Sequence, residues 1–186
     1  MVHAETHIRT RPPRRSGPLA RLLTALALLL ASAAPAAADA LFEQLAGEWI
    51  GKGTGVQRSG APSEKVYCRI TNEIAEDGAV LKQSGRCAIG NDTGTLSGHI
   101  RSLGRERYDG SLTSPVMAGP ATITGTGDGR GLGLEAVYED SKTRRPTKAA
   151  ITVRLLADGQ YRMVTKAADA ATGEPRQSSE LQFVRQ

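Results

Sequence analysis

Asp77-Gly78, Asp128-Gly129 and Asp158-Gly159 each stand between two stretches in which apolar residues recur at every second position. Asp-Gly suits the two-residue turns that need positive φ, and a flanking period of two marks half-buried strands. A two-residue turn at the first of these sets Cys68 opposite Cys87, Val66 opposite Ile89, Ile70 opposite Gly85 and Ile74 opposite Leu81, all on one face. Turn chemistry and alternation choose this register without reference to the cysteines, which meet as a consequence. It also places them at a hydrogen-bonded pair, where a bridge is usually strained unless a bulge or a longer turn intervenes.

At Asp128-Gly129 the same arithmetic sets Ile123 opposite Leu134, Ala121 opposite Ala136 and Gly125 opposite Leu132. At Asp158-Gly159 a two-residue turn would point Tyr161 and Met163 outward. A three-residue loop, Ala157 to Gly159, with Gly159 left-handed beside a bulge, instead pairs Leu155 with Tyr161, Val153 with Met163 and Ile151 with Thr165. Glu48–Gln57, Thr95–Leu103, Arg107–Leu112 and Ser179–Arg185 are further strand candidates. Leu41–Ala46 can form one helical turn with Phe42 and Leu45 on one side, and no later stretch shows sustained helical periodicity. Sequential hairpins predict an all-β fold, a single antiparallel up-and-down β-barrel of roughly 8–10 strands, rather than a sandwich with long crossings.

The barrel begins late in the chain. Arg9, Arg11, Arg14, Arg15 and Arg21 precede the apolar run Leu22–Leu30, and the small residues Ala31–Ala40 follow. That order is the charged, apolar and A-x-A sequence of a secretory signal peptide, too short to span a bilayer. Residues 1–40 are therefore read as a cleaved leader, with cleavage leaving Asp39 or Leu41 first, and residues 41–186 as one domain. No cysteine follows either site to carry a lipid, and Arg14-Arg15 with its following Ser16-Gly17-Pro18 fits a twin-arginine signal poorly. The expected location is the periplasm or the exterior. Of 24 basic and 19 acidic residues, five arginines, Glu5 and Asp39 precede Leu41, which leaves 19 against 17 and a net charge of +2. A nucleic-acid role would need a sustained basic face with stacking aromatics, so none is expected. Two cysteines in an exported chain predict a Cys68–Cys87 disulfide, since no histidine cluster accompanies them to make a metal site.

Phe42-x-x-Leu45-x-Gly47-x-Trp49-x-Gly51-x-Gly53 resembles the opening of a calycin, the superfamily of lipocalins, fatty-acid-binding proteins and nitrobindin-like barrels. Gly47-Glu48-Trp49 is similar to the lipocalin G-x-W. The resemblance implies that Trp49 plugs the closed end of the barrel and that an arginine of the last strand packs on its face. Arg185, in Leu181-Gln182-Phe183-Val184-Arg185, is placed to do so through a cation–π contact. Read from the residues alone, Trp49 is the one large core anchor of an aromatic-poor chain. Nitrobindin-type haem binding uses a late histidine, and residues 100–186 contain none, so no haem and no other cofactor is expected.

Other motifs carry less chemistry. Gly51-x-Gly53-x-Gly55 and the alternating glycines from Gly125 to Gly133 suit strand coiling rather than phosphate binding. His99, the one histidine after the leader, reads as a surface residue, and Gly94-Thr95-Leu96-Ser97-Gly98 lacks the serine position of a nucleophile elbow. The acidic groups Glu73, Glu76, Asp77 and Glu135, Glu139, Asp140 lie at hairpin ends without calcium-loop spacing. Lys142, Arg144, Arg145 and Lys148 form the sharpest charge cluster, either a solvated loop or an anion-docking rim for an anionic envelope surface.

The expected function is a monomeric, noncatalytic exported barrel, not membrane-spanning, that binds a small apolar or amphipathic ligand. Few bulky inward residues are available to fill it. The alternative is an envelope structural or interaction protein without a pocket ligand, since a fold does not fix a function. A third reading comes from bacterial inhibitors of secreted metalloproteases, which the opening also resembles and which insert a free N-terminal arm. Here only Leu41–Ala46 precede Gly47, and Phe42 and Leu45 are suited to packing.

Overall fold

A computed structural model describes residues 39–57, 60–157, 159–169 and 172–186. The leader up to residue 38 and Asp158 lie outside them. A short helix α1 (Ala40–Leu45) leads into ten strands: β1 (Gly47–Gly55), β2 (Glu64–Ala75), β3 (Val80–Ile89), β4 (Asp92–Ser102), β5 (Arg107–Thr113), β6 (Ala121–Gly127), β7 (Gly131–Glu139), β8 (Pro146–Ala157), β9 (Gln160–Ala168) and β10 (Pro175–Arg185). Every strand pairs antiparallel with its sequence neighbours, and β1 closes the ring on β10, from Trp49 opposite Arg185 to Gly55 opposite Ser179. The fold is an up-and-down barrel, and its ten strands are the upper end of the expected range.

The three hairpins show how turn chemistry and side-chain alternation share control of register. Between β2 and β3 every expected partner is found, including Cys68 opposite Cys87 and Ile74 opposite Leu81. The turn, however, spans four residues, Glu76 to Ala79, instead of two, with Glu76, Asp77 and Gly78 all at positive φ. Its carbonyls are engaged elsewhere: Gly78 O accepts from Asp39 N at 3.3 Å and Ala79 O from Ser102 N at 2.8 Å. A tight turn would have drawn these residues into the ladder. Widening the loop leaves the partners unchanged but exchanges which pairs are hydrogen-bonded. Gly90 N donates to Lys65 O at 3.2 Å, so Cys68 and Cys87, three positions along each strand, occupy a non-hydrogen-bonded pair. Ile74, expected on the inner face, reaches the barrel rim and is exposed.

Between β6 and β7 the register differs from the expected one by two residues: Ile123 faces Ala136 and Gly125 faces Leu134. The turn residues are Gly129 and Arg130 rather than Asp128 and Gly129. Asp128 stands outside the turn, where its carboxylate accepts from Arg130 N at 3.1 Å and pairs with Arg154. A slip of two keeps every side chain on its original face, and Ala121, Ile123, Leu132, Leu134 and Ala136 are all buried. Between β8 and β9 the pairs Leu155–Tyr161, Val153–Met163 and Ile151–Thr165 form as expected, and Gly159 is left-handed. The loop is shorter than three residues, because Ala157 pairs with Gln160 and the extra residue is taken up by a bulge at Leu156.

Barrel curvature on β1 depends on absent side chains. A Cβ on Gly53 would collide with the carbonyl oxygen of Glu180 on β10, and one on Gly51 would stand 2.7 Å from Phe183 Cζ. The strand can bend against its neighbour there because nothing projects inward.

Candidate functional site: the barrel interior and its two ends

Helix α1 lies across the end where β1 begins and β10 finishes. Asp39 caps it, accepting from Leu41 N at 3.0 Å, and Leu41, Phe42 and Leu45 are sealed beneath it. Trp49 is buried at 1 % exposure and donates from Nε1 to Leu45 O at 2.8 Å. Asn72 Nδ2 donates to the same carbonyl, also at 2.8 Å, and Gln83 Nε2 donates to Asn72 Oδ1 at 3.0 Å. The helix end is thereby tied to β1, β2 and β3. Arg185 Cζ lies 4.5 Å from the Trp49 ring centroid. Its guanidinium donates to Ala46 O and, at 2.6 Å, to Gln44 O, so one side chain covers the indole and satisfies the last helical carbonyls. Gly47 leaves room for it: at φ +113, a Cβ there would press on Arg185 Nη1 at 2.7 Å.

Below this end the aromatics continue inward. Tyr161 meets the Trp49 ring edge-on at 4.7 Å and stacks on Phe183 at 4.5 Å, while Phe42 packs against Tyr108 at 5.7 Å. Burial pushes the phenols of Tyr161 and Tyr108 well above their ordinary value, and the hydrogen bond that Tyr108 donates to Asp39 raises it further. Sequence patterning could place Tyr161 inside through the hairpin register. It could not identify the Trp49–Tyr161–Phe183 stack, whose members come from three strands, nor the buried Asn72.

The opposite end is differently built. On the inward alternation, Leu96 and Leu112 near this end and Ile151 and Met163 at mid-strand are half-buried, as are Ile100 and Leu155 toward α1. Val66, Ala121, Ala136 and Ala149 here are buried but small, where Trp49, Tyr108, Tyr161 and Phe183 fill the α1 end. Cys87 belongs to the half-buried set, and its bond to the buried Cys68, with Cα atoms 4.1 Å apart, pins β2 to β3 on this inner wall. Over the mouth, the β5–β6 and β7–β8 loops are laced together: Met117 bridges Asp140, Ser141 N donates to Val116 O at 2.9 Å, and Ser141 Oγ to Pro115 O at 3.0 Å.

Lys142, Arg144, Arg145 and Lys148 stand at this mouth, where Asp140 organises their loop by accepting from Lys142 N and Thr143 N. Those hydrogen bonds, from Thr143 first, hold the Asp140 carboxyl below its usual range. Arg144 pairs with Glu139 at 2.7 Å and Lys148 with Glu135 at 3.5 Å, so part of the loop's positive charge is answered locally. His99 lies apart from the interior, in a depression of about 540 Å³ on the outer wall shared with Glu73, Lys82 and Arg101. Among the described residues every buried side-chain polar atom has a partner, and no group of three or more His, Cys, Asp or Glu is placed to hold a metal ion. No helix among them is long and apolar enough to cross a membrane.

Comparison with known proteins leaves this geometry to speak for itself: no protein-family model matches the chain, and no curated protein matches it.

Proposed function

We propose that this is an exported, noncatalytic barrel of calycin type that takes a small apolar or amphipathic ligand through the end opposite α1. One observation carries the reading. Leu96, Leu112, Ile151 and Met163 point inward and are only partly buried, and the bulky aromatics that fill the interior stand toward α1, leaving aliphatic and small side chains to line the rest. Half-exposed apolar side chains on a concave wall are the lining that such ligands need. A disulfide suits an oxidising compartment and agrees with the leader read from the sequence. The outer wall supports a barrel in water, since Lys52 and Arg69 sit midway along β1 and β2, where a lipid-facing surface would be apolar.

The test is native mass spectrometry of the protein recovered from its own compartment, together with titration of an apolar fluorescent probe. A bound lipid-sized mass, and probe binding abolished by Ile151→Trp in a barrel with unchanged circular dichroism, support the reading. A clean apo mass with no probe binding overturns it. The interaction-protein alternative draws on a different observation: Phe183 occupies the space over Gly51 and Leu134 that over Gly125, so these small inward residues add no volume.

A further inference from the structure

Arg69 on β2 and Arg86 on β3 face each other directly on the outer wall. Like charges opposed in this way destabilise a ladder. The same juxtaposition occurs once more, Arg154 opposite Arg162 across β8 and β9, and there each guanidinium has its own carboxylate, Asp128 and Glu180. Arg69 and Arg86 have none within ion-pair distance among the described residues; Arg86 reaches only the hydroxyl of Thr93, at 3.2 Å. The five ion pairs among those residues all lie between Asp128 and Glu180, on the β7–β10 part of the ring, and none is on β2 or β3.

Around the two arginines the pleat gathers more of one chemistry. Lys52 faces Tyr67 across β1 and β2, Lys65 follows on the same outward alternation, and Ile50 faces Arg69. Tyr67 is 44 % exposed. An aromatic face thus stands amid four cations on the outer face of three strands, bounded by Glu48 and Glu73 toward α1.

We propose that the outward face of β1–β3 binds an acidic polysaccharide. Arg69 and Arg86 would each grip a carboxylate through the planar fork that matches it, on strands about 4.8 Å apart, while Tyr67 receives the apolar face of a sugar ring. An extended polyanion supplies successive charges to a row of cations on adjacent strands. A nucleic acid would need more than one stacking aromatic, and a bilayer would need a cluster of protruding apolar side chains, whereas Ile50 is half-buried and the exposed Val184 opposite it stands alone on β10. The site is separate from the interior, so failure of the ligand reading leaves it standing.

The experiment is affinity electrophoresis of the disulfide-bonded protein through gels containing alginate, a polyuronate. The wild type is retarded at low ionic strength and released at about 1 M salt, where the screening length falls to about 3 Å. Arg69→Gln/Arg86→Gln weakens retention about tenfold, since both charge-assisted contacts are lost, and Tyr67→Ala weakens it severalfold. The first variant keeps or raises the melting temperature, because an opposed like-charge pair is removed. Should it fail to fold, Lys52→Glu carries the same test. Arg154→Gln/Arg162→Gln, with the same change in net charge, leaves retention unchanged. Absence of retardation, equal loss in that control, equal retardation by neutral dextran, or binding to phosphatidylglycerol vesicles instead of alginate each overturns the proposal.

Discussion

Tyr108 donates its phenolic hydrogen to Asp39 at 3.0 Å, joining the start of β5 to the residue that caps the opening helix. Asp39 uses both carboxylate oxygens, one for the phenol and one for Leu41 N, and its own N–H reaches Gly78 O. It is therefore part of the fold, and of the two candidate cleavage sites only the one before Asp39 preserves it. Asp39→Ala should cost about 1–2 kcal/mol, the usual worth of a helix cap. A double-mutant cycle with Tyr108→Phe in urea unfolding should show coupling of about 0.5–1.5 kcal/mol for the shared hydrogen bond. Additive losses would show that the bond contributes nothing.

Alkaline pH should unfold the barrel through its tyrosines. Burial raises Tyr161, and burial plus the Asp39 carboxylate raises Tyr108, above the phenol's ordinary value of about 10. A folded-state pKa above the unfolded one gives stability that is complete below pH about 10 and lost as pH rises past it. In an absorbance titration at the phenolate band, these two rings should ionise only as far-UV circular dichroism collapses. Ionisation of all four tyrosines in a still-folded barrel would contradict their burial.

How far the sequence could be read depended on which residues carried the information. Register was legible at Cys68 opposite Cys87 and at Val153 opposite Met163, whereas between β6 and β7 alternation fixed the face but not the pairing, which lies two residues away. Asp-Gly located the β2–β3, β6–β7 and β8–β9 hairpins, but could not say whether Asp128 would enter the turn or stand beside it. That choice rests on a carboxylate partnership with Arg154, contributed by another strand. The widened turn at Glu76–Ala79 depends on Asp39 and Ser102, distant in the chain. The aromatic stack at the closed end follows from register carried across β9, β10 and β1, beyond the reach of any local window.

The Cys68–Cys87 bond joins strands already paired along their length and closes a loop with a sequence separation of 19. In the chain-entropy model such a loop contributes about 3 kcal/mol. Replacing both cysteines with alanine should lower the urea midpoint accordingly while far-UV circular dichroism stays that of a barrel, since Val66–Ile89 and Ile70–Gly85 still set the register. Loss of the fold would mean that the crosslink, and not the hairpin, determines this wall.

Gly51 and Phe183 share one volume inside the barrel, and the ring has most of it. A methyl group at position 51 would stand 2.7 Å from Phe183 Cζ, while Phe183 is itself held by stacking on Tyr161, which abuts Trp49. The ring cannot retreat without disturbing the closed end. Gly51→Ala should therefore destabilise by about 1–3 kcal/mol, as overpacking does, instead of gaining from reduced chain entropy. Phe183→Leu alone should also destabilise, by opening space beside Tyr161. Combined, the two changes should cost less than their sum, because each relieves the other's misfit. Strict additivity in denaturant unfolding would show that the glycine serves only the bending of β1 and not the seating of the aromatic stack.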